Sequence, residues 1–192
     1  SKDHKIEKGY FVTEMVGLTT HKRQHVSLFS HLYSSREKGY KSNNEVLFQG
    51  LNQVIDHLAE KATFVFDRGY DMNALFHFMY RRQQDFIIRL TENRKLFWKG
   101  KWFKSAVLRD SRKGKIKTTL TFRENGQKKR EVVYISHLNI KITASKKPVN
   151  LVLVYGLGKT PMMLATNQAR QGNEDVIQVV TTYMSRGRIE EY

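Results

Sequence analysis

The chain is 192 residues long, with 40% hydrophobic and 11% aromatic residues and only two prolines, enough to build a sizeable core and too apolar for wholesale disorder. It has no cysteine, which excludes disulfides, thiol catalysis and thiolate-bound zinc, and no unbroken apolar run of about eighteen residues that would span a membrane. Lysine and arginine number 34 against 18 acids, a net charge of +16, so the chain attracts polyanions, nucleic acid first among them.

Residues 10–19 and 25–33 are rich in β-branched and aromatic types and are separated by a polar turn at His21–Gln24, which predicts an antiparallel hairpin. After a polar loop in which Ser42, Asn43 or Asn44 can cap, Leu47, Leu51, Val54, Ile55 and Leu58 recur at helical spacing, predicting a helix over 45–61. Ala62–Phe66 then reads as a short buried strand that ends abruptly in Asp67-Arg-Gly-Tyr-Asp71. An acid where a buried strand leaves a sheet is where open α/β folds place their chemistry. Met72, Leu75, Phe76 and Met79 mark a second helix to about Arg82, and Asp85–Leu90 is a further strand. A strand-helix-strand unit of this length implies parallel pairing, so together with the hairpin the sheet is expected to be mixed.

From 91 to 160 helical periodicity disappears and cations crowd in, between strands predicted at 96–98, 117–123, 131–137 and 149–155, with an Asn-Gly turn at Asn125-Gly126. This is expected to be a β-rich basic insertion between two parts of a core, 1–90 and 161–192. Trp98 and Trp102 lie among Lys95, Lys99, Lys101 and Lys104, a mixture equally suited to stacking on bases beside a neutralised backbone and to an ordinary packed hairpin. Residues 161–167 read as the return strand, and Asn173 is expected to cap a final helix in which Val176, Val179 and Val180 face inward.

Several signals fail. Gly156-Leu-Gly-Lys-Thr160 ends like a phosphate-binding loop, but Leu153 stands where that motif needs its first glycine, and Pro161 and a strand follow where the motif needs a helix. His21 and His25 flank a hairpin turn with no third ligand nearby, and no GxSxG elbow exists. On a helix, Tyr183, Arg186 and Glu190 share one face: a hydroxyl and a guanidinium that can grip phosphate beside a carboxylate that can hold a metal ion. Asp67 and Glu190, brought together with no Cys or His cluster, would select Mg2+ or Mn2+.

The FVFDRGYD strand end, the DFIIRL and LATN strands and the Tyr183-x-x-Arg186-x-x-x-Glu190 pattern in this order resemble the DDE-type transposases of bacterial insertion sequences, the IS-four-like group. The resemblance implies an RNase H-like α/β core, a mixed sheet flanked by helices and interrupted by the β-rich insertion. It also implies metal-dependent DNA strand cleavage and strand transfer at a two-metal Mg2+ or Mn2+ site, with Asp67 and Glu190 as metal ligands. Tyr183, Arg186 and Arg68 are then expected at the DNA phosphates, and Arg94, Lys95, Trp98, Lys99 and Lys101 along the DNA. The family's first acid would lie upstream of Ser1, so the chain alone is expected to bind duplex DNA and cleave poorly. A homodimer in the synaptic complex and a cytoplasmic, nucleoid-associated bacterial protein are further implications. The alternatives are an RNase H-like nuclease or repair enzyme without transposition, and a non-catalytic DNA-binding module.

Overall fold

A computed structural model describes residues 9–18, 24–124, 127–169 and 172–187. The turn at His21, the Asn125-Gly126 turn, Glu190 and Glu191 lie outside the described residues. The chain divides into two compact units, Ser1–Glu60 and Lys61–Tyr192.

In the first unit, β1 (Phe11–Leu18) and β2 (His25–Tyr33) form the expected antiparallel hairpin, in register from Phe11↔Tyr33, with a shift between Met15 and Val16. Helix α1 (Asn43–His57) starts where the Ser42 side chain accepts a hydrogen bond from the Glu45 N–H at 3.2 Å. It stops at His57, short of the expected Lys61, because Leu58 turns to extended backbone. Gly50 lets the hairpin approach: a Cβ there would lie 2.7 Å from the Phe29 ring.

In the second unit, β3 (Thr63–Phe66), α2 (Asn73–Arg81) and β4 (Asp85–Arg89) form the predicted crossover, with β3 and β4 parallel in the register Val65↔Ile87 and Phe66↔Ile88. A single 3-10 turn, Arg68–Tyr70, joins β3 towards α2. Further along run β5 (Lys95–Trp98), β6 (Lys101–Lys104), α3 (Ser105–Asp110), β7 (Ile116–Glu124), β8 (Gln127–Ile142), β9 (Lys147–Tyr155), β10 (Met162–Thr166) and α4 (Asn173–Met184). The strands make one eight-stranded mixed sheet in the order β3-β4-β10-β9-β8-β5-β6, with β7 paired to β8. The strands of 91–160 therefore continue the sheet that holds β3, β4 and β10.

Strand alternation sends side chains to opposite faces of this sheet. On one face Ile87, Val133, Ile135, Val152, Val154 and Leu164 pack against Val176, Val179, Val180 and Tyr183 of α4. On the other, Phe86 meets Phe76 of α2 edge to face at 5.4 Å, and the Tyr155 hydroxyl donates to the Arg109 carbonyl of α3 at 2.8 Å.

Three sequence expectations need correction. The segment 91–160 contains a helix, α3, and a strand, β6, that were not anticipated. Asn173 is the first residue of α4 rather than its cap; Gly172 holds that place, and its N–H donates to the Asp175 carboxylate at 3.2 Å. Finally, α4 ends at Met184 and narrows to a 3-10 turn over 185–187, where Gly187 is a weak helix former.

Candidate active site

Asp67 is the first residue after β3, and its carboxylate caps the 3-10 turn by accepting the Arg68 N–H at 2.6 Å. Its side chain remains 44% exposed. The end of α4 comes to meet it. The Tyr183 hydroxyl donates to Asp67 Oδ1 at 3.4 Å, and Arg186 Nη2 lies 3.8 Å from Oδ2. Residues 116 positions apart in sequence thus converge because α4 packs its valines on the sheet and its C-terminal end reaches the carboxyl end of β3. At 3.8 Å the Arg186–Asp67 pair is an ion pair without a hydrogen bond, and such half-exposed pairs contribute about 0–1 kcal/mol. Neither charge is consumed by the other.

Tyr183 is 5% exposed. Burial pushes its hydroxyl above the usual tyrosine range; the Asp67 carboxylate adds to that shift, while Arg89 and Arg186 oppose it. The hydroxyl therefore stays protonated and acts as a donor. Arg89, whose charge opposes the rise at Tyr183, is a member of this cluster that sequence reading missed. The parallel register explains it: Phe66 pairs with Ile88, so Asp67 and Arg89 leave adjacent strands side by side.

Asp71 was also missed. Its side chain is 0% exposed and accepts from the Thr91 N–H and hydroxyl, each at 2.7 Å, and from Arg94 Nε at 2.7 Å. Arg94 also donates to Asn73 Oδ1 and to the Asp71 carbonyl, each at 2.6 Å. This expected DNA contact is occupied in a buried clasp that pins the DRGYD turn to the segment after β4.

The other expected contacts lie elsewhere. Arg68 is exposed beside Asp67. Lys95, Trp98, Lys99 and Lys101 sit on the β5–β6 hairpin, at the opposite end of the strand order from β3. There Lys99 and Arg112 approach the Trp98 ring at 4.7 and 5.1 Å, while Trp102, packed edge to face on Phe97, is 44% exposed. The described residues include no group of three or more His, Cys, Asp or Glu placed to hold a metal ion.

No helix among the described residues is long and apolar enough to cross a membrane. A comparison with curated proteins finds no match. The profile of the transposase DDE domain matches residues 41–192, which takes in β3, Asp67, α4 and the Tyr183–Arg186 pair. With most of its length so matched, the chain belongs to the transposase DDE domain family.

Proposed function

We infer that the chain is the phosphodiester-cutting and strand-joining part of a bacterial DNA transposase, with an RNase H-like core formed by 1–90 and 161–192 and a basic β-rich insertion at 91–160. The observation that carries this reading is the meeting of Asp67, Tyr183 and Arg186 at the carboxyl end of β3. The cluster sets a half-exposed carboxylate beside a protonated hydroxyl and a guanidinium that lies 3.8 Å from that carboxylate without a hydrogen bond to it.

The donor chemistry fits a hard divalent cation. Asp67 offers carboxylate oxygen in a chain without cysteine, and Glu190, four residues after Arg186, supplies the second carboxylate. Held by these carboxylates, Mg2+ or Mn2+ would supply Lewis-acid activation of the attacking oxygen and charge stabilisation at the leaving oxygen. The chain's own groups do the positioning. Arg186 and Tyr183 hold a non-bridging phosphate oxygen next to Asp67, Arg68 flanks it from solvent, and the cations of 91–160 track the DNA backbone. Two copies are expected to act together on a pair of transposon ends.

Mn2+ titration followed by water-proton relaxation tests the metal assignment. Asp67→Asn is expected to weaken binding at least tenfold, and unchanged affinity would remove Asp67 from the site. In the transposing protein, Glu190→Gln should abolish strand transfer while duplex binding stays nearly intact; a variant that still transposes contradicts the assignment.

A further inference from the structure

We propose that the β7–β8 ribbon is a docking element for duplex DNA, whose outer face enters the major groove beside the Asp67 site; this rests on the transposase reading. The ribbon pairs continuously from Ile116↔Ile135 to Glu124↔Gln127. Its third neighbour, β9, stops at Tyr155↔Tyr134. There Gly156, at φ +97°, turns the chain away so close to β8 that a Cβ would lie 2.9 Å from the Val132 carbonyl oxygen. Over Gln127–Val133 the described ribbon is therefore two strands alone, projecting about 24 Å at 3.4 Å per residue.

Strand directions fix where it projects. Asp67 and Arg89 leave the carboxyl ends of parallel β3 and β4. Arg89 pairs with Leu164 in the first half of β10, Met162 pairs with Val154 near the end of β9, and Tyr155 pairs with Tyr134. The ribbon thus grows from the Asp67 end of the sheet. Any duplex presenting a phosphate to Asp67 lies across that same end.

The two faces of the ribbon differ. Leu120, Phe122 and Val133 pack in the cluster that includes Tyr183 and Met184 of α4, so the inner face braces the helix that carries the site. The outer face presents Lys117, Thr119 and Thr121, with Arg130, Val132 and Tyr134 opposite them and Lys128 one step further towards the tip, all exposed. None of these is an acid. Lys113 and Lys115 extend the basic row at the approach to β7. An antiparallel two-stranded ribbon fits a major groove about 12 Å wide. Cations on its rim meet phosphates, while Arg130 and Thr121, paired across the strands, are the types that reach base edges.

The test uses the whole chain and a mixed-sequence duplex. Fluorescence anisotropy between about 50 and 200 mM salt compares wild type with Lys117→Gln/Lys128→Gln/Arg130→Gln, with thermal melts as the fold control. The slope of log K against log salt is expected to fall by about three, and the affinity by tenfold or more. Because the chain has no cysteine, Thr121→Cys is a unique thiol. It should form a disulfide with a thiol tethered in the major groove and not with one in the minor groove, while Glu174→Cys, at the start of α4, should capture neither. A wild-type chain that does not bind duplex overturns the transposase reading itself. Wild-type binding with an unchanged slope in the triple variant overturns only the ribbon. Equal capture from both grooves does the same, and this arm decides alone if the triple variant fails to fold.

Discussion

Asp71→Asn is the sharpest probe of how the site is held. The wild-type carboxylate is 0% exposed and accepts three hydrogen bonds, from the Thr91 N–H, the Thr91 hydroxyl and Arg94 Nε, with Arg94 Nη2 a further 2.7 Å ion-pair contact. Arg94 is 13% exposed, with its guanidinium carbon 5.5 Å from the Phe76 ring centre. Replacing one carboxylate oxygen by an amide NH2 removes the counter-charge and points a donor at donors. Breaking a buried pair from one side costs about 3–5 kcal/mol. An asparagine that keeps one acceptor belongs near the lower end, about 3 kcal/mol, a large share of the usual 5–15 kcal/mol. In a unit of this size that corresponds to a melting point lower by roughly 10 °C. Urea unfolding read by Trp98 and Trp102 fluorescence, both within the second unit, measures it. Arg94→Met should cost a comparable amount, and the double variant should be less destabilised than the sum of the singles, by about 1 kcal/mol or more. A loss below about 1 kcal/mol for Asp71→Asn, or strict additivity, would refute the clasp.

Three further outcomes follow from local geometry. Ser42→Ala removes the cap of α1 and should cost about 1 kcal/mol in urea unfolding followed by helical circular dichroism; no loss would mean that the Glu45 N–H is satisfied without it. Gly114→Ala would set a Cβ 2.4 Å from the Tyr134 carbonyl carbon and 2.6 Å from its oxygen, and since the obstacle is backbone it should cost about 2–3 kcal/mol in a thermal melt. In alkaline titration, burial pushes Tyr80 up to about 12 and raises Tyr155 and Tyr183. Folded values above the unfolded value near 10 mean that this contribution is intact below about pH 10 and is lost as pH climbs towards 12. Tyrosine absorbance should show a late-ionising class that disappears in Tyr80→Phe/Tyr155→Phe/Tyr183→Phe.

What the sequence reveals of the fold depends on how many neighbours each strand must satisfy. The runs FVF (64–66) and FII (86–88) sit next to one another in the sheet and are uniformly apolar, so their pairing reads directly from the chain. Strand β8 is harder. It extends over sixteen residues because its first half serves β7 and its second half β9, and the face turned to α4 changes from Val133 and Ile135 to exposed His137, Asn139 and Lys141. That break in alternation makes one strand look like a short one. Strand β6 escapes for another reason. It turns on Lys99-Gly100, with φ of +46° and +81°, a two-residue hairpin in which lysine takes the place usually given to asparagine or aspartate. At six residues, α3 is too short to show a period.

The site divides along the same line between local and distant information. Asp67 is legible because a strand end and a turn mark it, and Tyr183 with Arg186 because their spacing is helical. Arg89 requires the register of two strands, and the Asp71–Arg94 clasp requires a contact across 23 residues. Charge alone ranked Arg94 with the solvent-facing cations, and only its surroundings separate it from Lys95 beside it. The two aspartates of DRGYD make the distinction plainest. Asp71 is fully closed off, with hydrogen bonds at 2.7 Å, while Asp67 is 44% exposed, accepts the Arg68 N–H of its own turn at 2.6 Å and otherwise meets Tyr183 and Arg186 at 3.4 and 3.8 Å. A carboxylate that fixes geometry must be saturated, and one that takes part in chemistry must keep lone pairs for a ligand. Four residues apart, the pair meets both requirements: the closed acid holds rigid the turn from which the open one is presented.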